Sequence, residues 1–99
     1  MHALPQEWST GRWTYTQVSR EGDIAIYSQQ HQEGTATRFE VIVVQHFDER
    51  PLPNGRMQEA GEYYPGSSQW GRAGWTCLTL EEAQALAQEQ RVKQQTADE

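Results

Sequence analysis

Residues 62–80, EYYPGSSQWGRAGWTCLTL, connect the densest group of aromatic residues in the chain to its clearest helix start. Four of the ten aromatic side chains lie here, Tyr63, Tyr64, Trp70 and Trp75, together with three glycines and one proline. Because each large ring buries much apolar surface, this spacing among turn residues is typical of an irregular loop held against a sheet. The rest of the chain is predicted to be strands that lead into this segment and one helix that leaves it.

The strongest strand pattern comes before this segment, at residues 36–47. Its run VIVV at 41–44 is apolar on both faces, so the strand is predicted to be central and at least partly covered on both sides. Two prolines and an Asn-Gly pair at 48–55 predict a turn. Residues 56–64 are then predicted to return as an antiparallel strand at an edge or with a bulge.

A hairpin is predicted nearer the N-terminus. Residues 12–20 alternate at period two, and the short turn 21–23 joins them to a second strand at 24–28. Residues 1–11 contain Pro5, show no periodicity and carry one large anchor, Trp8. They are predicted to be a loosely attached arm.

The C-terminal helix is predicted to begin at Thr79, which with Glu82 matches the capping-box pattern Thr-x-x-Glu. The apolar residues at helical spacing are Leu80, Ala83, Leu86 and Ala87. These elements predict one α+β domain over 1–99, with a folded core at 12–94 and a frayed tail at 95–99. Its sheet is mainly antiparallel, with four to five strands and the C-terminal helix packed on one face.

The face of the sheet away from the helix is predicted to be exposed, because one helix covers only one side. Trp13, Tyr15 or Phe39 would crowd that face and make it a surface for a partner or a second copy.

Composition restricts the classes of partner and compartment. The net charge is −6, and no basic block is present to supply non-specific attraction to phosphate. The one cysteine cannot form an intramolecular disulfide, which favours a reducing cytoplasm. We expect no signal peptide and no membrane-spanning segment, since no basic stretch followed by an apolar run is found.

No pattern predicts catalysis, a cofactor or a metal site. The histidines are His2, His31 and His46, and none has a second ligand at a metal-binding spacing. Cys77 and His46 are a conceivable nucleophile and base, but no local signature supports that pair. Glu59 and Glu62 would face opposite sides of a strand, so we expect solvated edge charges and not an acid–base dyad.

The candidate binding residues are Trp70, Arg72, Trp75 and Tyr64. The two indoles with the arginine between them can present a stacking platform to a base or a peptide. In the alternative, which is the commoner arrangement in small cores, both indoles hold the loop against the core.

Two resemblances accompany these patterns. RFEVIVVQHF at 38–47 and the ending EYYP-x-S-x-x-WG-x-x-GWT-x-x-TLEEA at 62–83 resemble small uncharacterised proteins of bacterial phages, prophages and plasmids. That likeness implies an origin but no function.

The second resemblance is to WGR domains, small α+β modules of some poly-ADP-ribose polymerases that respond to DNA ends. Residues 70–74, WGRAG, are similar to their Trp-Gly-Arg-x-Gly core, and TLEEAQAL is similar to the helix that follows it. This resemblance implies contact with nucleic-acid ends through Trp70 and Arg72.

The sequence therefore predicts a non-enzymatic binding domain of bacterial or phage origin, which engages a protein partner or its own copy. A partner attracted by charge would be basic. The alternative is a WGR-like nucleic-acid-binding module that uses Trp70, Arg72 and Trp75. No membrane partner is expected.

Overall fold

The computed structural model describes residues 2–34 and 37–97. Its elements in chain order are β1 Glu7–Thr10, β2 Trp13–Glu21, β3 Ile24–His31, β4 Thr37–Val43, β5 Gln45–Phe47, β6 Arg50–Pro51, β7 Met57–Gln58, β8 Gly61–Tyr63, a 3-10 helix Ser67–Gln69, β9 Gly74–Cys77 and α1 Leu80–Ala97. The main sheet is antiparallel with strand order β1-β2-β3-β4-β9, while β5 pairs with β8 and β6 with β7. The predicted α+β fold, with a five-stranded antiparallel sheet and one C-terminal helix, is confirmed.

Two tight hairpins build the first half of the sheet. Gly11-Arg12 joins β1 to β2, and Gly22-Asp23 joins β2 to β3. The first residue of each loop is a glycine with positive φ, +58° and +61°, as type II′ hairpin turns require. The hairpin predicted around residues 21–23 is confirmed, and its second strand extends to His31.

The prediction of a loosely attached arm at residues 1–11 is wrong for the residues that the structure describes. Trp8 lies in β1 opposite Tyr15, and Leu4 is buried. The backbone of His2 donates a hydrogen bond to Ala60 at 2.7 Å and accepts one from Glu62 at 2.8 Å. The segment 2–10 is therefore attached to the fold by the backbone pairing of His2 and β1 and by the burial of Leu4, whereas Met1 lies outside the described residues.

Helix α1 packs on one face of the sheet, as predicted. Thr79 Oγ1 accepts a hydrogen bond from the backbone N–H of Glu82 at 3.1 Å, and Glu82 reaches back to the N–H of Leu78 at 3.4 Å. The buried residues between helix and sheet are Ile24, Ile26, Val41, Cys77, Ala83 and Ala87. The helical backbone continues to Ala97, beyond the predicted start of the frayed tail, and residues 98–99 lie outside the described part. No helix in the described ranges is both long and apolar enough to cross a membrane.

The opposite face of the sheet is covered too, so the prediction that it is exposed is wrong. We call the rings that cover it the aromatic layer: Trp8, Tyr15, Tyr27, Tyr64 and Trp70. They pack with Leu4, Ala25, Ile42 and Val44. Phe39 lies on the helix side instead, and the ring of Trp13 contacts His31 at a centroid distance of 4.7 Å.

Strand β4 is an interior strand between β3 and the edge strand β9, and it is covered on both faces. Val41 belongs to the core under the helix and Ile42 to the core under the aromatic layer, and neither side chain is exposed. The predicted covering of this strand on both sides is confirmed.

The return strand predicted at 56–64 is divided into β7 and β8. Gly61, at the start of β8, has φ +151°, and a Cβ there would lie 2.0 Å from the carbonyl oxygen of His2. Only a glycine allows the N-terminal segment to approach this closely.

Candidate functional site

An open hollow of about 340 Å³ lies in the surface of the aromatic layer, lined by Tyr15, Glu40, Tyr64, Ser67 and Trp70. Strand β2 supplies the tyrosine and β4 supplies the glutamate. The other three residues come from the loop between β8 and β9, which contains the 3-10 helix. The hollow thus forms where the irregular loop meets the regular sheet.

The unusual group in this hollow is Glu40, a carboxylate on the interior strand β4 that is only 7% exposed. The hydroxyl of Tyr64 donates a hydrogen bond to its Oε1 atom. Within residues 2–34 and 37–97, no Lys, Arg or His forms an ion pair with it. Burial raises the pKa of Glu40, and the hydrogen bond from Tyr64 opposes that rise.

Tyr64 is the ring that connects the hollow to the rest of the aromatic layer. Its centroid lies 5.0 Å from Trp8, 5.3 Å from Tyr27 and 6.4 Å from Trp70. Burial, and then the hydrogen bond to Glu40, raise the pKa of the Tyr64 hydroxyl far above its usual value. The hydroxyl therefore stays protonated and remains the donor to Glu40.

Trp70 is held on the sheet by β9. Its indole Nε1 donates to Thr76 Oγ1 at 3.2 Å, and its six-membered ring lies against Gly74. A Cβ at Gly74 would lie 2.4 Å from Cζ3 of the indole. Gly71, with φ +92°, turns the chain between Trp70 and Gly74. The position of this ring therefore requires Gly74, whereas the positive φ of the turn favours glycine at position 71.

The four predicted binding residues do not form one surface. Tyr64 and Trp70 lie side by side at the hollow. Trp75, five residues later, lies opposite Val41 in β9 and packs on the helix side of the sheet. Arg72 is exposed in the turn between them. The stacking platform of Trp70, Arg72 and Trp75 is thus not assembled, since the two indoles lie on opposite faces.

Sequence reasoning missed Glu40 and Ser67, and it assigned Tyr15 to a partner surface without connecting it to Tyr64 and Trp70. The signal for Glu40 is visible in retrospect as a lone charge inside the strand FEVIVV, which was predicted to be covered on both faces. A carboxylate at such a position needs a partner. The signal for Tyr15 is weaker, because an alternating strand does not reveal which of its faces is closed.

A second hollow of about 670 Å³ is lined by His2, Ala3, His46, Phe47, Asp48, Ala60, Gly61 and Glu62. Glu62 was predicted to be a solvated edge charge, and that prediction is wrong. Its two carboxylate oxygens accept hydrogen bonds from Arg20 at 2.8 and 2.6 Å. This bidentate contact, above all, lowers the pKa of Glu62 to about 2.

The conceivable nucleophile and base lie in separate surroundings. Cys77 is buried under α1, and that burial raises the pKa of its thiol. His46 lies on β5, where its Nε2 is 2.8 Å from Asp23 Oδ1. In the described ranges, no group of three or more His, Cys, Asp or Glu residues is arranged to hold a metal ion.

No protein-family model matches this chain, and no curated protein or solved structure shows significant similarity to it. The resemblances to phage-type proteins and to WGR domains therefore stay predictions.

Proposed function

We propose that this protein is a non-enzymatic binding module that takes a positively charged group of a protein partner into the hollow around Glu40. The observation that carries the proposal is the state of the Glu40 carboxylate. It is only 7% exposed and lies beside aromatic rings, and no cationic side chain of the described residues pairs with it.

The energetics of Glu40 favour an external cation. A buried carboxylate with a single hydrogen bond keeps part of its desolvation cost. A cation that enters the hollow offsets that cost, and the faces of Tyr15 and Trp70 add an attraction of their own. The net charge of −6 also steers basic segments toward the protein.

A titration with a lysine-rich peptide tests this function, with tryptophan fluorescence as the readout because Trp70 lines the hollow. We expect saturable binding that Glu40→Gln weakens roughly tenfold or more, as loss of a charge-assisted contact worth about 1.5–3 kcal/mol implies. The matched control is Glu49→Gln, which removes the same charge from an exposed position away from the hollow. The control should bind as the wild type does.

Two results would overturn the proposal: no binding of the peptide in either its unmodified or its lysine-methylated form, or equal losses in the two glutamine variants. Short single- and double-stranded DNA in the same titration tests the nucleic-acid alternative. Saturable, salt-sensitive quenching that Arg72→Ala abolishes would favour that alternative instead.

A further inference from the structure

We infer that the hollow around Glu40 selects an alkylated ammonium group, such as an N-methylated or quaternary amine, over a primary ammonium or a guanidinium. This inference rests on the proposed function and specifies the cation that the module takes.

The first argument is the supply of hydrogen-bond acceptors. A primary ammonium has three N–H donors and a guanidinium five, and each one that leaves water needs an acceptor. In this hollow Glu40 Oε1 already accepts from Tyr64, and the hydroxyl of Tyr15 already accepts from Gln29 Nε2 at 3.0 Å. The acceptor atoms of the lining side chains that remain are the second carboxylate oxygen of Glu40 and the hydroxyl of Ser67, two atoms for the three donors of a primary ammonium or the five of a guanidinium.

The second argument is the surface that the hollow offers in their place. The centroid of Tyr64 lies 6.3 Å from Tyr15 at an interplanar angle of 63°, and 6.4 Å from Trp70 at 29°. Three aromatic rings therefore stand next to one another beside the carboxylate. A quaternary ammonium has no N–H donor, and ring faces and a nearby negative charge are what it binds best.

The third argument is that the rings are already held in place. Trp8 stacks on Tyr15 at 4.8 Å with an angle of 8°. Trp70 is fixed by Gly74 and Thr76, and Tyr64 by Glu40. A ligand therefore orders few side chains when it binds, which reduces the entropic cost of association.

The test compares tetramethylammonium, ammonium and guanidinium chlorides at constant ionic strength, by tryptophan fluorescence of the full chain. We expect tetramethylammonium to bind at least about tenfold more tightly than ammonium, because it contacts the ring faces without giving up hydrogen bonds to water. Glu40→Gln should weaken the binding of tetramethylammonium, and Glu49→Gln should leave it unchanged.

Removal of one aromatic ring tests how much the rings contribute to the selectivity for tetramethylammonium. Trp70→Leu keeps apolar bulk but removes the π face, so it should reduce the preference for tetramethylammonium over ammonium, as measured by titration calorimetry because the variant lacks the Trp70 reporter. Circular dichroism shows whether this variant folds. If it does not, Tyr15→Leu makes the same test from the regular strand β2, with the Trp70 fluorescence retained.

Further titrations distinguish two sources of the alkylated ammonium group, a modified protein and a small molecule. Tighter binding of a trimethyllysine peptide than of its unmethylated form identifies a modified protein partner. Equal or tighter binding of choline or glycine betaine identifies a small molecule, which supports the selectivity but contradicts the protein partner.

The two proposals fail in different ways. If the unmethylated peptide binds through Glu40 but tetramethylammonium neither binds nor competes, the selectivity is wrong and the binding function stands. If ammonium binds as tightly as tetramethylammonium, the selectivity is again wrong and the binding function stands. If no cation and no peptide binds, both are wrong.

Discussion

Gly74 has no side chain, and this allows the indole of Trp70 to lie flat enough against β9 to line the hollow. A methyl group there would come within 2.4–2.9 Å of three ring atoms of Trp70, closer than van der Waals contact permits. Gly74→Ala should therefore displace the indole and lower the free energy of unfolding by about 1–3 kcal/mol, the usual cost of overpacking. Urea denaturation measures this loss.

The control for this substitution is Gly66→Ala. Gly66 has φ −74°, and a Cβ there would meet nothing within 4 Å. Its replacement should leave stability unchanged or slightly raise it, because alanine restricts the unfolded chain. Equal losses at Gly66 and Gly74 would show that the ring does not set the requirement for glycine.

At this scale the sequence placed Trp70 and Trp75 close together but did not indicate the face of the sheet on which each indole lies. Trp70 and Trp75 are close in the chain, and Gly71 and Gly74 between them allow the backbone to bend. The pairing of Val41 with Trp75 places the second indole under the helix, whereas the Gly71 turn returns the first to the other side. That division depends on strand register, which local patterns do not determine.

The segment that precedes β1 contributes to the core through Leu4, and replacement of this one residue tests that contribution. Leu4 is 6% exposed and packs under the aromatic layer. Leu4→Ala should cost about 2–5 kcal/mol in urea denaturation, the range for a buried leucine. Leu78→Ala makes the same chemical change at a side chain 70% exposed and should stay within about 0.5 kcal/mol of the wild type. Similar values for the two would mean that the N-terminal segment is attached loosely after all.

Elements with a local signal were predicted well, and elements that depend on distant partners were not. The capping residues Thr79 and Glu82 predict the start of helix α1, and the Gly-Asp loop predicts the β2–β3 hairpin. Strand β1 has only four residues, and the Gly11-Arg12 loop that signals it was read as part of an arm. Its pairing needs β2, and the burial of Leu4 needs the loop after β8, so neither is visible in a local window.

The whole molecule is a sheet covered on one side by a helix and on the other by aromatic rings. Only 35% of the residues are hydrophobic. Large rings therefore supply much of the burial on the second face, where Tyr27 is fully buried and Trp8, Tyr64 and Trp70 are partly so. The same rings that stabilise the fold also line the hollow, so the site and the core share their side chains.

Two carboxylates make opposite contributions to the pH dependence of this fold. Glu62 on β8 faces Arg20 from β2, with His46 of β5 nearby, and its pKa is lowered to about 2. Its stabilisation is complete above the ordinary value near 4.5 and is lost as the pH falls toward 2. Glu62→Gln should therefore destabilise the protein at pH 7, and its deficit relative to the wild type should shrink on acidification.

Glu40 behaves in the opposite way because burial raises its pKa. The folded state holds its proton more tightly than the unfolded chain, so the buried charge costs stability above the raised pKa, and this cost disappears as the pH falls through that value toward 4.5. The stability of Glu40→Gln relative to the wild type should thus decrease on acidification, while that of Glu62→Gln increases. Urea denaturation of the three proteins at pH 7, 5 and 3 measures both slopes. Parallel slopes would mean that Glu40 is not held as a buried carboxylate, and the hollow would then lack the charge on which cation binding depends.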